Sequence, residues 1–129
     1  MGERYTSEWA AAAADLWPEL PEAPGAEGTV SLAVSSAPRR EVGFHWRYVD
    51  GRAVEGGAGD GGSPELALTL GAADAPDLFS GRVEPSVAFM RGRLKASGDG
   101  RLLLAFLRST TAEGFAGWRS RADSLLPGA

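Results

Sequence analysis

Leu78-Phe-Ser-Gly-Arg-Val-Glu-Pro-Ser-Val-Ala-Phe-Met-Arg-Gly-Arg-Leu-Lys-Ala-Ser-Gly-Asp-Gly-Arg-Leu-Leu-Leu-Ala-Phe-Leu107 is the stretch whose reading decides the fold. Two short helices, a strand and a third helix follow one another in it, each bounded by Gly, Pro or Asp. Ala73 to Ser80 reads as a short helix with Gly81 just past its end. Glu84-Pro85 starts the next, Pro85 taking the first helical position, where a missing N–H costs nothing. That helix continues from Ser86 to Arg91 with Val87, Phe89 and Met90 apolar. Gly92 hands over to a strand, Arg93 to Ser97, and Gly98-Asp99-Gly100 turns the chain. Asp99 then caps a helix that starts near Arg101 and whose Leu102 to Leu107 run has no polar residue.

Working outward, the chain upstream alternates. Val30, Leu32 and Val34 share one face of a strand from Thr29 to Ser36, opposite Ser31, Ala33 and Ser35. Pro38, Arg39 and Arg40 read as a turn. Val42, Phe44, Trp46 and Tyr48 then take every second place, opposite Gly43, His45, Arg47 and Val49. Asp50-Gly51 is a two-residue hairpin signal, so Arg52 to Glu55 returns as a third strand. Gly56 to Gly62 reads as a mobile glycine-rich loop. It lacks the Lys-Ser/Thr of a phosphate-cradling loop and the spacing of a dinucleotide fingerprint. Leu66, Leu68 and Leu70 alternate with Ala67 and Thr69 in a fourth strand.

The two ends are helical. Trp9, Ala13, Leu16, Trp17 and Leu20 put one apolar face on a helix over residues 6–20, with Thr6 or Ser7 as N-cap and Pro18 ending it near Trp17. Thr111 to Leu126 carries Phe115, Trp118, Ala122, Leu125 and Leu126 at helical spacing. The expected fold class is α+β: one domain over residues 1–129, with a five-stranded, mostly antiparallel sheet whose apolar face is covered by helices. Its core spans 28–110, between the N-terminal helix (6–20) and the C-terminal amphipathic helix (111–126).

Composition narrows the chemistry. The 129 residues include no cysteine and one histidine, which excludes disulfides, thiolate nucleophiles and most His-rich metal sites. The N-terminus lacks the pattern of a signal peptide, and no apolar run is long enough to span a membrane, so the expectation is a soluble, cytoplasmic chain with no stable membrane insertion. The net charge of −4 divides unevenly, −8 over residues 1–80 and +4 over residues 81–129. Two readings follow: solvated faces, or a basic C-terminal half that docks an anionic group or makes weak partner-protein contacts. The acidic total and the lack of a basic run speak against nucleic acid. Twelve Arg against one Lys fits a GC-rich genome.

Three spaced motifs in this order resemble the sterol carrier protein 2 family over Gly28 to Thr110. They are Leu66-Ala-Leu-Thr-Leu, then Asp77-Leu-Phe-Ser-Gly-Arg-Val-Glu-Pro, then Ala88-Phe-Met-Arg-Gly-Arg-Leu-Lys-Ala-Ser-Gly-Asp. The resemblance, to a small stand-alone bacterial member, implies an apolar tunnel between sheet and helices. It also implies non-catalytic binding or carriage of a hydrophobic small molecule (a fatty acid, fatty acyl, sterol-like or polyketide-like compound) without a cofactor or metal. The Phe44-His-Trp-Arg-Tyr strand is bulkier than the family's usual strand there, and the N-terminal helix and the segment after Thr110 lie outside the resemblance. Pro127-Gly-Ala is no peroxisomal address, so an organellar setting is not carried over.

Under that resemblance the ligand-binding residues are Phe44, Trp46, Tyr48, Leu68, Phe79, Phe89, Met90, Leu103, Phe106 and Leu107, with Phe115 and Trp118 as a lid. By periodicity alone the helix Arg101 to Ser109 reads as plain core packing, a reading that the resemblance reverses, and Phe115 and Trp118 read equally as a lid or as a helix docked on the core. Met90 suits an irregular wall because a thioether adapts to varied shapes. His45 reads as a surface or structural histidine, or as a general base if a partner stands beside it. Arg91 and Arg93 are solvated, or face a ligand carboxylate or phosphate. Two alternatives to carriage stand beside it: a cyclase, isomerase or helper that folds an apolar intermediate in the same cavity, and a collapsed cavity whose domain only contacts other proteins.

Overall fold

The computed structural model describes residues 4–36 and 40–126. The turn expected at Pro38 and Arg39 and the terminal Pro127-Gly-Ala lie outside the described residues, as do residues 1–3. Alternation produces the sheet. Strands β1 (Gly28–Ser36), β2 (Arg40–Val49), β3 (Arg52–Ala58), β4 (Leu66–Gly71) and β5 (Leu94–Gly98) lie in the order β3-β2-β1-β4-β5. Three of the four pairings are antiparallel, and β1 with β4 is parallel, so the sheet is mixed. The registers Leu32↔Phe44 and Leu32↔Leu68 put the every-second-residue apolar sets of three strands on one face.

Five helices cover that face: α1 (Ser7–Ala14), α2 (Ala75–Ser80), α3 (Pro85–Met90), α4 (Gly100–Ser109) and α5 (Glu113–Ser124). Their ends follow the punctuation read from sequence. The Thr6 side chain accepts from Trp9 N at 3.1 Å, and Asp99 Oδ1 accepts from Arg101 N at 2.8 Å. Pro85 opens α3, and Gly81 closes α2. Asp50 and Gly51 both take positive φ, 50° and 79°, the backbone that a two-residue hairpin turn demands.

Two boundaries differ from expectation. The N-terminal helix ends at Ala14, and Pro18 sits inside a separate 3-10 turn, Trp17–Glu19. A proline ring a few residues on disfavours helical continuation, and the break swings Trp17 onto β3. There a Cβ on Gly56 would stand 2.8 Å from Trp17 Cδ1 and 3.0 Å from Ala14 O, so only a glycine lets α1 and the turn lie this close.

The second difference is β3, which runs past Glu55 to Ala58 and takes in two of the glycines read as loop. Because β1 and β4 run parallel and β3 runs antiparallel to β2, β3 and β4 point the same way with two strands between them. Residues 59–65 make that crossing on the sheet's outer face. Gly59 N donates to Gly43 O at 2.9 Å, and a Cβ on Gly61 would stand 3.0 Å from the His45 ring. A parallel crossover ordinarily uses a dozen or more residues and a helix. The seven-residue strap lies close against the sheet, over the small residues Ser31, Ala33 and Gly43 and against the His45 ring.

Candidate ligand-binding interior

Between sheet and helices lies a continuous column of aromatic rings. Tyr5 stacks edge-on to Trp9 (5.0 Å between centroids), Trp9 meets Phe44 at 5.8 Å, and Phe44 meets Trp46 and Trp118 at 5.9 and 6.1 Å. Trp46 carries the column on to Tyr48 at 6.4 Å and Phe106 at 5.8 Å, while Phe79 and Phe115 close its flank through Trp118 at 6.3 and 5.4 Å. The β2 alternation supplies the spine Phe44-Trp46-Tyr48, and the helical spacing of Phe115 and Trp118 supplies the cover. Nine of the chain's eleven aromatic residues take part; Trp17 and Phe89 stand aside.

The expected site residues sort into three groups. Phe44, Trp46, Tyr48, Leu68, Phe79, Phe106, Phe115 and Trp118 are buried together. Phe89, Leu103 and Leu107 are half-buried at the margin of that core. Met90 is corrected: it is 85 % exposed, and as the last residue of α3 it points away from the core, so it forms no wall of an enclosed space. The space where an apolar tunnel is expected is occupied by the rings themselves. An open cleft of about 210 Å³, lined by Arg4, Tyr5, Val34, Ser36, Ala72 and Pro76, lies at the Tyr5 end of the column. It is smaller than the ~300–1,000 Å³ usual for small-molecule sites.

The polar content of this interior is unusual. Trp46 Nε1, Tyr48 Oη, Trp118 Nε1 and Tyr5 Oη are buried without a hydrogen-bond partner among the described residues. Their parent residues are 1, 1, 4 and 7 % exposed. An unpaired buried donor costs about 1–3 kcal/mol, so native cores seldom keep several. Trp9 makes the contrast: its Nε1 donates to Ala122 O at 2.9 Å and ties α1 to α5. Burial pushes the Tyr5 phenol up to about 12, and it raises the Tyr48 phenol against hydrogen-bonding approaches of the Trp46 and Ser109 side chains, which fall short of well-formed hydrogen-bond geometry. The buried polar residues among those described are Ser31, Ser109 and Thr110, so no ionisable side chain other than the two phenols is enclosed.

The charged residues serve elsewhere. Arg93 Nε donates to Asp74 Oδ1 at 2.8 Å and its Nη2 to Asp77 Oδ2 at 2.9 Å, clamping β5 to the start of α2. Arg82 Nε reaches Asp77 Oδ1 at 2.8 Å, and the Arg93 and Arg82 guanidinium groups hold the Asp77 carboxyl below its ordinary range. Arg93 is therefore engaged rather than solvated or facing a ligand, while Arg91 is exposed. His45 lies on the outer face, its Nδ1 paired with Gly59 O at 3.1 Å beneath the strap, on the opposite side of the sheet from Phe44 and Trp46. Sequence reasoning missed Tyr5 and Ser109. Tyr5 sits just before the Thr6 N-cap, a position that often packs against the helix it precedes, which is the signal that could have found it.

A mixed, mostly antiparallel five-stranded sheet with helices on one face and an apolar, aromatic interior defines an α+β fold that solved structures share. A conserved hypothetical protein from Thermus thermophilus, described as possibly a sterol carrier protein, superposes with a TM-score of 0.69 at 22 % identity, over 98 % of this chain and 93 % of that one. A sterol carrier protein 2 crystal structure gives 0.65 at 23 % identity, over 92 % and 95 %. The palmitated SCP2L2 of Aedes aegypti gives 0.57 at 17 % identity, over 81 % and 89 %. The chain belongs to the SCP-2 sterol transfer family, whose profile matches residues 24–108. Membership points to the binding or transfer of lipids or sterols. A search of curated proteins found no match. Among the described residues no helix is long and apolar enough to cross a membrane.

Proposed function

We propose that this chain binds a hydrophobic small molecule non-covalently in the space that Phe44, Trp46, Phe79, Phe106, Phe115 and Trp118 now share, and carries it without chemical change. The observation that supports this most directly is the set of unpaired buried donors inside an otherwise apolar column. A core made only for packing gains nothing from them, whereas a ligand with a polar end would satisfy them. Admission requires the rings to part, and α5 is the element placed to move. Besides packing, it is held by the Trp9–Ala122 hydrogen bond and by the Arg119–Glu84 and Arg121–Glu19 ion pairs at 3.1 and 3.3 Å. Partly exposed pairs of this kind contribute only about 0–1 kcal/mol each. Burying ~400 Å² of ligand surface returns about 10 kcal/mol before association costs, enough to offset a local rearrangement.

A second reading, a collapsed interior whose surface contacts another protein, is favoured by the filled column. Catalysis by His45 on an enclosed intermediate is disfavoured by its place on the other side of the sheet. Titration of delipidated protein with long-chain lipids, followed by the fluorescence of Trp9, Trp46 and Trp118, separates the first two. Saturable change supports carriage. No saturable response to any lipid class sinks it and leaves the protein-contact reading.

A further inference from the structure

Resting on the carrier reading, we infer that the ligand presents a neutral hydrogen-bond acceptor, a carbonyl or ether oxygen on a long apolar body, to the Trp46, Tyr48 and Trp118 donors, and that an ionised carboxylate is selected against. The inventory of the interior leads there. Indole N–H groups can only donate, so two of the three unpaired groups ask for an acceptor, and the phenol can supply a third donor. The three lie close together, with the Trp46 ring 6.1 Å from Trp118 and 6.4 Å from Tyr48. Ser109, also buried nearby, donates to Phe106 O at 2.6 Å. A carbonyl oxygen has two lone pairs and brings no donor of its own that would need a partner.

The same inventory tells against an anion. No Lys, Arg or His among the described residues is buried, so nothing inside would neutralise a carboxylate. Burying an unpaired charge is far costlier than burying a neutral carbonyl that finds donors. The cations nearest the column already hold carboxylates: Arg93 pairs with Asp74 and Asp77, and Arg119, whose guanidinium lies 5.7 Å from the Phe115 ring at the column's edge, pairs with Glu84. Tyr48, with its ionised form disfavoured by burial, stays a donor across the physiological range.

The test compares three probes of matched chain length, hexadecane, methyl palmitate and palmitate, at a pH where palmitate is fully ionised. Binding is read by tryptophan fluorescence and by native mass spectrometry on the intact chain. The ester is expected to bind about tenfold tighter than the hydrocarbon, the equivalent of one good hydrogen bond, and tighter than palmitate. In Tyr48→Phe and Trp46→Phe, the ester-to-hydrocarbon ratio is expected to fall toward one. Palmitate binding as tightly as the ester, or an ester-to-hydrocarbon ratio near one in the wild type, would overturn this inference while leaving the carrier reading intact. Failure of all three probes to bind would instead overturn the carrier reading on which it rests.

Discussion

Replacing Tyr48 by Phe should stabilise the empty protein. Tyr48 is 1 % exposed, and its hydroxyl is unpaired in the core. The substitution deletes one oxygen and keeps the ring, including its edge-on contact with Trp46 at 6.4 Å. An unsatisfied buried hydroxyl costs about 1–3 kcal/mol; the hydrogen-bonding approaches of Trp46 and Ser109 offset part of this, leaving a gain of about 1 kcal/mol. For a chain of this size that is a rise in Tm of roughly 3–5 °C. Thermal and urea unfolding of delipidated wild type and variant would measure it, with an unchanged urea slope confirming that the denatured state is the same. A second signature lies at alkaline pH. A phenol whose folded pKa is raised above its unfolded value of about 10 stabilises the protein below that pH, and this contribution is lost as pH rises through the folded value. The variant should therefore lose less stability than wild type above pH ~10. A drop in Tm at neutral pH on delipidated protein would mean the hydroxyl has a partner, and the case for a waiting polar site would fail.

Three further outcomes follow from the geometry. Asp99→Ala removes the oxygen that accepts from Arg101 and Leu102, and should cost about 1 kcal/mol by chemical denaturation; a loss below a few tenths would show the cap to be idle. Gly56→Ala puts a methyl against Ala14 O, His45 O and Trp17, two of them backbone atoms that cannot swing aside, and should destabilise by about 1–3 kcal/mol, as overpacking does. Arg93→Ala should lower Tm at neutral pH, with the gap to wild type narrowing in acid. Asp77, whose folded pKa is depressed, contributes stability above its unfolded pKa, and that is lost as pH falls through the folded value. A gap that stays constant down to full protonation of Asp77 would mean the clamp contributes nothing electrostatic.

Much of this architecture is legible in the residues alone, for identifiable reasons. Cap and turn residues act locally: Asp99 needs only the N–H groups two and three positions on, Pro85 only its own ring, and Asp50-Gly51 only its own φ angles. Period-two alternation likewise states which side chains share a face, so Phe44, Trp46 and Tyr48 group together before any fold is known. Met90 is misplaced by sequence because Val87, Phe89 and Met90 are all apolar on a helix only six residues long, and so short a pattern does not say which flank meets the core. Gly56 and Gly57 read as loop because glycine disfavours strands; contact with α1 and Trp17 overrides that preference at Gly56.

The sequence by itself determined the elements, the sheet's apolar face and the family resemblance, since each rests on short-range pattern. Tertiary structure decided what lies far apart in the chain. It set β4 beside β1 in parallel, carried residues 59–65 across the outer face over His45, and committed Arg93 to Asp74 and Asp77 at the start of α2. Above all it decided that the rings from Tyr5 to Trp118 fill the interior while the polar atoms of Trp46, Tyr48 and Trp118 are buried there without a well-formed hydrogen bond. Packing volume and hydrogen-bond satisfaction depend on distances between elements, and no periodicity within an element encodes those distances.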